Sequence, residues 1–264
     1  MASFKDKLKV KWNENKFVCI GLDKGEFEFN KQIIDQTAQL ICAYKLNSAF
    51  YEAEGLTGRT ALEKTVKYIQ NQYPDAVLIF DAKRADIDNS NRGYVKDIFD
   101  NLNFDAVTVH PYLGKEAMQP FLKRVDKGII VLVKTSNPGA EEFQDLIVSS
   151  QNIPLYQYIA SKVANEWNKN GNCAVVVGAT YQKDLKIIRK IVSDMPILVP
   201  GIGAQNGALE ETLKNGLDSN KQGLIISSSR GIIFAQNPKE ATLKLHQKIV
   251  SSLRAIVLQS GRMK

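Results

Sequence analysis

The chain has 264 residues, 44% hydrophobic and 24% charged, with a net charge of +7. This composition excludes a disordered chain, a collagen and a disulfide-stapled miniprotein, and at about 100–200 residues per domain the length admits one large domain or two small ones. No apolar run approaches the roughly 20 residues that a membrane-spanning helix needs, and the basic residues are scattered rather than gathered into the patch that nucleic-acid binding requires.

The opening stretch, MASFKDKLKVKWNENK, alternates charges with single apolar residues and lacks the apolar core of a secretory signal. Short, β-branched apolar runs then recur at 17–22, 41–46, 76–80, 106–109, 128–133, 173–178, 197–199 and 223–226. Their starts lie about 30 residues apart, the length of one strand–helix repeat. Runs that are apolar on successive residues fit strands buried on both faces, as in a parallel sheet. Between them lie segments of helical period. Ala61, Leu62, Thr65, Val66, Ile69 and Tyr73 share one face. Leu155, Tyr158, Ile159, Val163 and Trp167 form a second stripe, and Leu185, Ile188, Ile191 and Val192 a third. The last helix carries Leu245, Ile249, Val250, Leu253, Ile256 and Val257, with His246 facing solvent. The long gap 136–172 predicts a mobile loop ahead of its helix.

Eight strands alternating with helices predict an α/β fold of one domain, residues 1–264, closed into a (β/α)8 TIM barrel. The three cysteines, Cys19, Cys42 and Cys173, sit in apolar runs without a CxxC spacing. They read as reduced core thiols of an intracellular protein. Two histidines and no cysteine cluster argue against a zinc site. Trp12 and Trp167 read as packing residues.

Chemistry in such barrels gathers at the C-terminal ends of the strands. There the sequence places Asp23, Lys45 with Asn47, the run Asp81-Ala82-Lys83-Arg84-Ala85-Asp86, His110, Ser136, Pro200 and the run Ser227–Gly231. Residues two apart on a strand share a face, so Asp81 and Lys83 point into one site while Asp86 lies beyond the strand. An isolated DxKxxD reads equally well as a surface ion-pair network. At a strand end, one strand away from Lys45, it reads as a charged array containing a proton donor. The glycine loop Pro200-Gly201-Ile202-Gly203-Ala204-Gln205, followed one strand later by Arg230, fits a phosphate site. The glycines of 201–207 also allow a closing loop. His110, before Pro111, is a candidate base or a packed turn, and Arg84 and Arg92 read as partners of nearby acids.

FDAKRADI at 80–87 resembles the signature of the orotidine 5′-phosphate decarboxylase family. The resemblance extends through GLD at 21–23, YKLN at 44–47, KTSNPGA at 134–140, PGIGAQ at 200–205 and SSSRG at 227–231, with wording similar to the longer subgroup. It implies decarboxylation of orotidine 5′-monophosphate to UMP and CO2, the last step of de novo pyrimidine synthesis, in the cytoplasm, with no metal and no organic cofactor. It makes Lys45, Asp81, Lys83 and Asp86 a catalytic tetrad, with Lys83 protonating C6. It also implies a homodimer, Asp86 entering the neighbouring subunit's site. Asp23, Asn47, Ile87, Ser90, Ser136, Pro200, Gln205, Ser229 and Arg230 become substrate-binding positions, Ser136 reading the pyrimidine edge. Ser90 stands where the family often has Thr, and Ser229 where it often has Gly. Two other readings stay open: a metal-dependent sugar-acid phosphate decarboxylase on a related barrel, and a non-catalytic nucleotide- or RNA-binding barrel.

Overall fold

The computed structural model describes residues 2–202 and 206–261. Its strands are β1 (Val18–Gly21), β2 (Ala43–Asn47), β3 (Val77–Arg84), β4 (Ala106–Val109), β5 (Gly128–Lys134), β6 (Ile147–Val148), β7 (Ile153–Pro154), β8 (Cys173–Val177), β9 (Ile197–Pro200) and β10 (Leu224–Ser228). Eight of them close into a parallel barrel in the order β1-β10-β9-β8-β5-β4-β3-β2, and these are the eight predicted runs. Nearly every residue of the barrel strands is buried, which is why the runs carry no polar alternation.

The helices are α1 (Phe4–Asn13), α2 (Phe27–Thr37), α3 (Ser48–Glu52), α4 (Gly55–Gln72), α5 (Asp88–Val95), α6 (Gly114–Leu122), α7 (Glu141–Gln144), α8 (Leu155–Lys162), α9 (Gln182–Val192), α10 (Asn206–Gly216), α11 (Arg230–Ile233) and α12 (Pro238–Gly261). No helix among the described residues is long and apolar enough to cross a membrane. The stripes on α4 and α9 pack inward as predicted. The stripe assigned to residues 155–167 does so only in part, at Val163 and Trp167. Tyr156 and Ala160 are the buried residues of α8, and Val163 and Trp167, in the π-helical turn that follows, continue the same face. Leu155, Tyr158 and Ile159 instead line a groove of about 650 Å³ with Phe143 and Tyr112. On α12, Ile249 and Leu253 are buried but Val257 is exposed. His246 does not face solvent: it is half-buried, burial pulls its pKa below the ordinary histidine value, and its Nδ1 has no partner among the described residues.

The opening segment is a helix that closes the N-terminal end of the barrel. Ser3 and Asp6 form a reciprocal capping box, and Phe4, Leu8 and Trp12 recur on its inner face. Trp12 Nε1 donates to Leu224 O at 2.8 Å, and Lys7 pairs with Asp105 at 2.8 Å. Phe4 lies where a side chain on Gly128, the first residue of β5, would stand. The predicted loop over 136–172 carries structure too: α7, then the antiparallel pair β6–β7 with Val148 opposite Ile153, then α8. The three cysteines are buried and unbridged. Burial pushes the Cys19 and Cys173 thiols up to about 12, which leaves them protonated and unreactive at neutral pH.

Candidate active site

Asp81 lies in the side of the barrel, with both carboxylate oxygens engaged. Oδ2 accepts from Lys45 Nζ at 2.8 Å. Oδ1 accepts from Lys83 Nζ and from Thr108 Oγ1, each at 2.8 Å. Lys45 is buried at the end of β2, whereas the Lys83 side chain is about half exposed, so its ammonium is the one open to a ligand. Burial pushes Asp81 up, but the Lys45 and Lys83 ammonium groups outweigh it and hold the carboxyl at about 2. Burial likewise pushes Lys45 down, and Asp81 and Asp23 together raise it above the ordinary lysine value.

The sign of these shifts predicts an acid limb to stability. The folded pKa of Asp81 lies below its unfolded value, so its ionic contacts contribute fully above about pH 4 and are lost as pH falls through about 2, a term of roughly 2 kcal/mol. Urea unfolding of the wild type and of Asp81→Asn should therefore differ most above about pH 4 and converge below it. A gap that stays constant down to pH 2 would refute this account of the array.

The local backbone is less regular than a strand. Between Phe80 and Arg84 the register of β3 on β4 shifts, so that Asp81, Ala82 and Lys83 together stand against Thr108 alone. Lys83 adopts φ +48°, a left-handed conformation rare for a residue with a side chain. Its N–H has left the strand ladder and donates to Thr108 Oγ1 at 3.0 Å.

Beyond the strand, Asp86 is held by its backbone. Asn91, fully buried in α5, accepts from Asp86 N–H at 2.9 Å and donates to Asp86 O at 2.5 Å and Ala117 O at 2.6 Å. The Asp86 carboxylate accepts from Ile87 N–H at 2.6 Å, and among the described residues it pairs with neither Lys45 nor Lys83. Ile87 and Ser90 are exposed beside it. Arg92 pairs with the nearby Asp88, as expected, whereas Arg84 pairs with Glu52, distant in sequence.

Around the barrel mouth, the other predicted positions fall at strand ends. Asp23 follows β1, and its Oδ1 is buried with no hydrogen-bond partner among the described residues. Asn47 ends β2 and caps α3, its Oδ1 accepting from Ala49 N–H at 3.2 Å. Ser136 is exposed after β5, close over Gly178; a Cβ there would stand 2.7 Å from the Ser136 Cβ. That loop is held from below: Gln144 accepts from Thr135 N–H at 2.9 Å and donates to its Oγ1 at 2.7 Å. Lys134, buried between the rings of Tyr156 and Tyr181, pairs with Asp145. Pro200 ends β9, and Gln205 lies outside the described residues. Ser229 precedes α11 with its hydroxyl over Gly21, where a Cβ would come within 1.9 Å of its Oγ, so the β10 end packs closely on the glycine that ends β1. Arg230 is exposed at the start of α11. His110 lines the groove beside Tyr112, whose lining does not include Asp81, Lys45 or Lys83. Sequence reasoning missed Thr108, Asn91 and Gln144. Thr108 had one available signal, as the single polar residue in the run 106–109.

The family model for the orotidine 5′-phosphate decarboxylase / HUMPS family matches residues 16–245. The chain belongs to the orotidine 5′-phosphate decarboxylase family. It is 44% identical over 252 residues to the orotidine 5′-phosphate decarboxylase of Cellvibrio japonicus, covering 89% of this chain and 91% of that protein. It is 41% identical over 282 residues to that of Thermomicrobium roseum, covering 98% and 99%. The solved structure of Leishmania donovani OMP decarboxylase superposes with a TM-score of 0.89 at 34% identity, over 95% of this chain and 98% of that one. Relatives at this identity favour neither the sugar-acid phosphate reading nor the non-catalytic one.

Proposed function

We propose that the Lys45–Asp81–Lys83 array is the reaction centre at which this chain converts orotidine 5′-monophosphate to UMP and CO2, the last step of de novo pyrimidine synthesis. One observation carries the assignment of the centre: a carboxylate held at about 2 fixes two ammonium groups, one buried and one open. The C6–carboxylate bond breaks heterolytically and its electron pair stays on C6, in the ring plane, where the π-system delocalises it poorly. The Lys83 ammonium faces that pair, stabilises it, and donates a proton to form the C6–H bond of UMP. The resulting amine takes its proton back from solvent. Because the charges are fixed before the substrate arrives, they need no reorganisation during the reaction. Both oxygens of Asp81 are already engaged, so it acts by holding the ammonium groups in place.

In this reading the unpartnered Asp23 Oδ1 and Asn47 take the ribose, and Ser136 reads the pyrimidine edge. Pro200, Gln205, Ser229 and Arg230 flank the base and grip the phosphate, far from C6; binding energy there lowers the barrier by organising the charges. The active unit is a homodimer. Asp86, its backbone tethered by Asn91 and its carboxylate unpaired with the Lys83 of its own chain, enters the neighbouring subunit's site, and the exposed Ile87 and Ser90 go with it. The chemistry runs without metal or organic cofactor. Purified protein in EDTA should remove the absorbance of orotidine 5′-monophosphate at its full rate. Activity abolished by EDTA and restored by Mg²⁺ would overturn the proposal.

A further inference from the structure

We infer that Thr108 is a positioning residue for the decarboxylation, its single hydroxyl locking the Asp81 carboxylate and the Lys83 backbone into one geometry. The inference rests on the roles given above to Asp81 and Lys83. Thr108 is fully buried in β4, and its Oγ1 makes two contacts with different senses. It accepts from Lys83 N–H at 3.0 Å and donates to Asp81 Oδ1 at 2.8 Å. A hydroxyl is the smallest group that can do both at once, and Val has the shape without either function.

Each contact solves a problem created by the charged array. The bulge takes Lys83 N–H out of the ladder, and a buried N–H without an acceptor is costly. The left-handed φ of Lys83 is also unfavourable for a residue with a Cβ and persists only where its surroundings fix it. The acceptor at Thr108 supplies that restraint. The donor bond occupies the same Asp81 oxygen that receives Lys83 Nζ, so it sets the rotation of the carboxylate and with it the direction of the ammonium. One side chain thereby fixes both ends of Lys83: its backbone directly, its ammonium through Asp81. Placement of a proton donor to within a fraction of an ångström is what a reaction governed by fixed charges depends on.

The test compares Thr108→Val, Thr108→Ala and Thr108→Ser with wild type, with Lys83→Ala alongside. Thr108→Val should lower kcat about 10- to 100-fold, the range appropriate to loss of a hydrogen bond to a charged group. Its KM and its affinity for UMP, measured by calorimetry, should stay within a few-fold of wild type, because neither depends on the rotation of Asp81. Thr108→Ser, which keeps the hydroxyl, should restore most of kcat. Thr108→Ala serves if the valine variant does not fold, and should show the same division between kcat and KM. A folded Val or Ala variant with wild-type kcat, or one that loses UMP binding in step with kcat, would overturn the role of Thr108. An active Lys83→Ala protein would instead overturn the reading on which it rests.

Discussion

Replacing Lys83 by alanine should lower turnover by about 10⁴- to 10⁷-fold while leaving UMP binding largely intact. Two effects vanish with the one ammonium. A positioned general acid is worth roughly 10²–10⁴, and a preorganised charge facing the developing carbanion roughly a further 10²–10³. Lys83 is suited to both, because its ammonium is anchored to Asp81 at 2.8 Å yet half open to the cleft. Lys45 cannot replace it. Its side chain is buried, and its ammonium is committed to the opposite oxygen of Asp81. Nucleotide affinity survives because the proposed grip on the phosphate lies at the ends of β9 and β10, not at β3. The measurements are single-turnover loss of orotidine 5′-monophosphate absorbance and calorimetric binding of UMP. A folded Lys83→Ala protein within tenfold of wild type would remove Lys83 from the mechanism.

Two inactive variants, Lys83→Ala and Asp86→Ala, should rescue one another after mixed refolding. Random pairing across a two-fold interface makes about half the dimers mixed. In each mixed dimer one site lacks both residues, and the other joins Lys83 of one chain to Asp86 of its partner. About a quarter of all sites should therefore regain native activity. The geometry of the chain motivates the experiment: Asn91 fixes the Asp86 backbone firmly, but the carboxylate meets neither lysine of its own chain. If Asp86 served its own site, no pairing would bring the two intact residues together, and verified heterodimers would be as inactive as the parents. Mixing without subunit exchange is the control and should recover nothing.

The barrel was legible in the sequence because buried parallel strands leave a local mark. Each of the eight barrel strands is built on a short, mostly apolar run, and the polar residues of the barrel mouth gather at its C-terminal end. The helix at the N-terminus was not legible as one, since only Phe4, Leu8 and Trp12 mark its inner face and charges crowd between them. The phase of α8 was misread for a different reason. The buried set Tyr156, Ala160, Val163 and Trp167 is an ordinary helical face, but the aliphatic Leu155 and Ile159 beside it draw a pattern based on apolar residues onto the neighbouring face.

The candidate site divides in the same way. Residue type and strand-end position were enough to single out Lys45, Asp81 and Lys83, because two ammonium groups around one carboxylate rarely collect at the mouth of an apolar barrel without a task. Strand alternation correctly brought Asp81 and Lys83 together, yet the backbone that does so is a bulge with a left-handed lysine, not a regular strand. What only the tertiary structure decided is how the array is held. Thr108 reaches Asp81 across 27 positions of sequence, Asn91 ties Asp86 to α6 through Ala117, and Gln144 supports Thr135 from a helix inside a predicted loop. These are ordinary polar residues whose neighbours along the chain carry no sign of their partners. A hydrogen bond between distant segments is specified by the packing of strands and helices, which brings donor and acceptor to about 3 Å, and not by any local pattern.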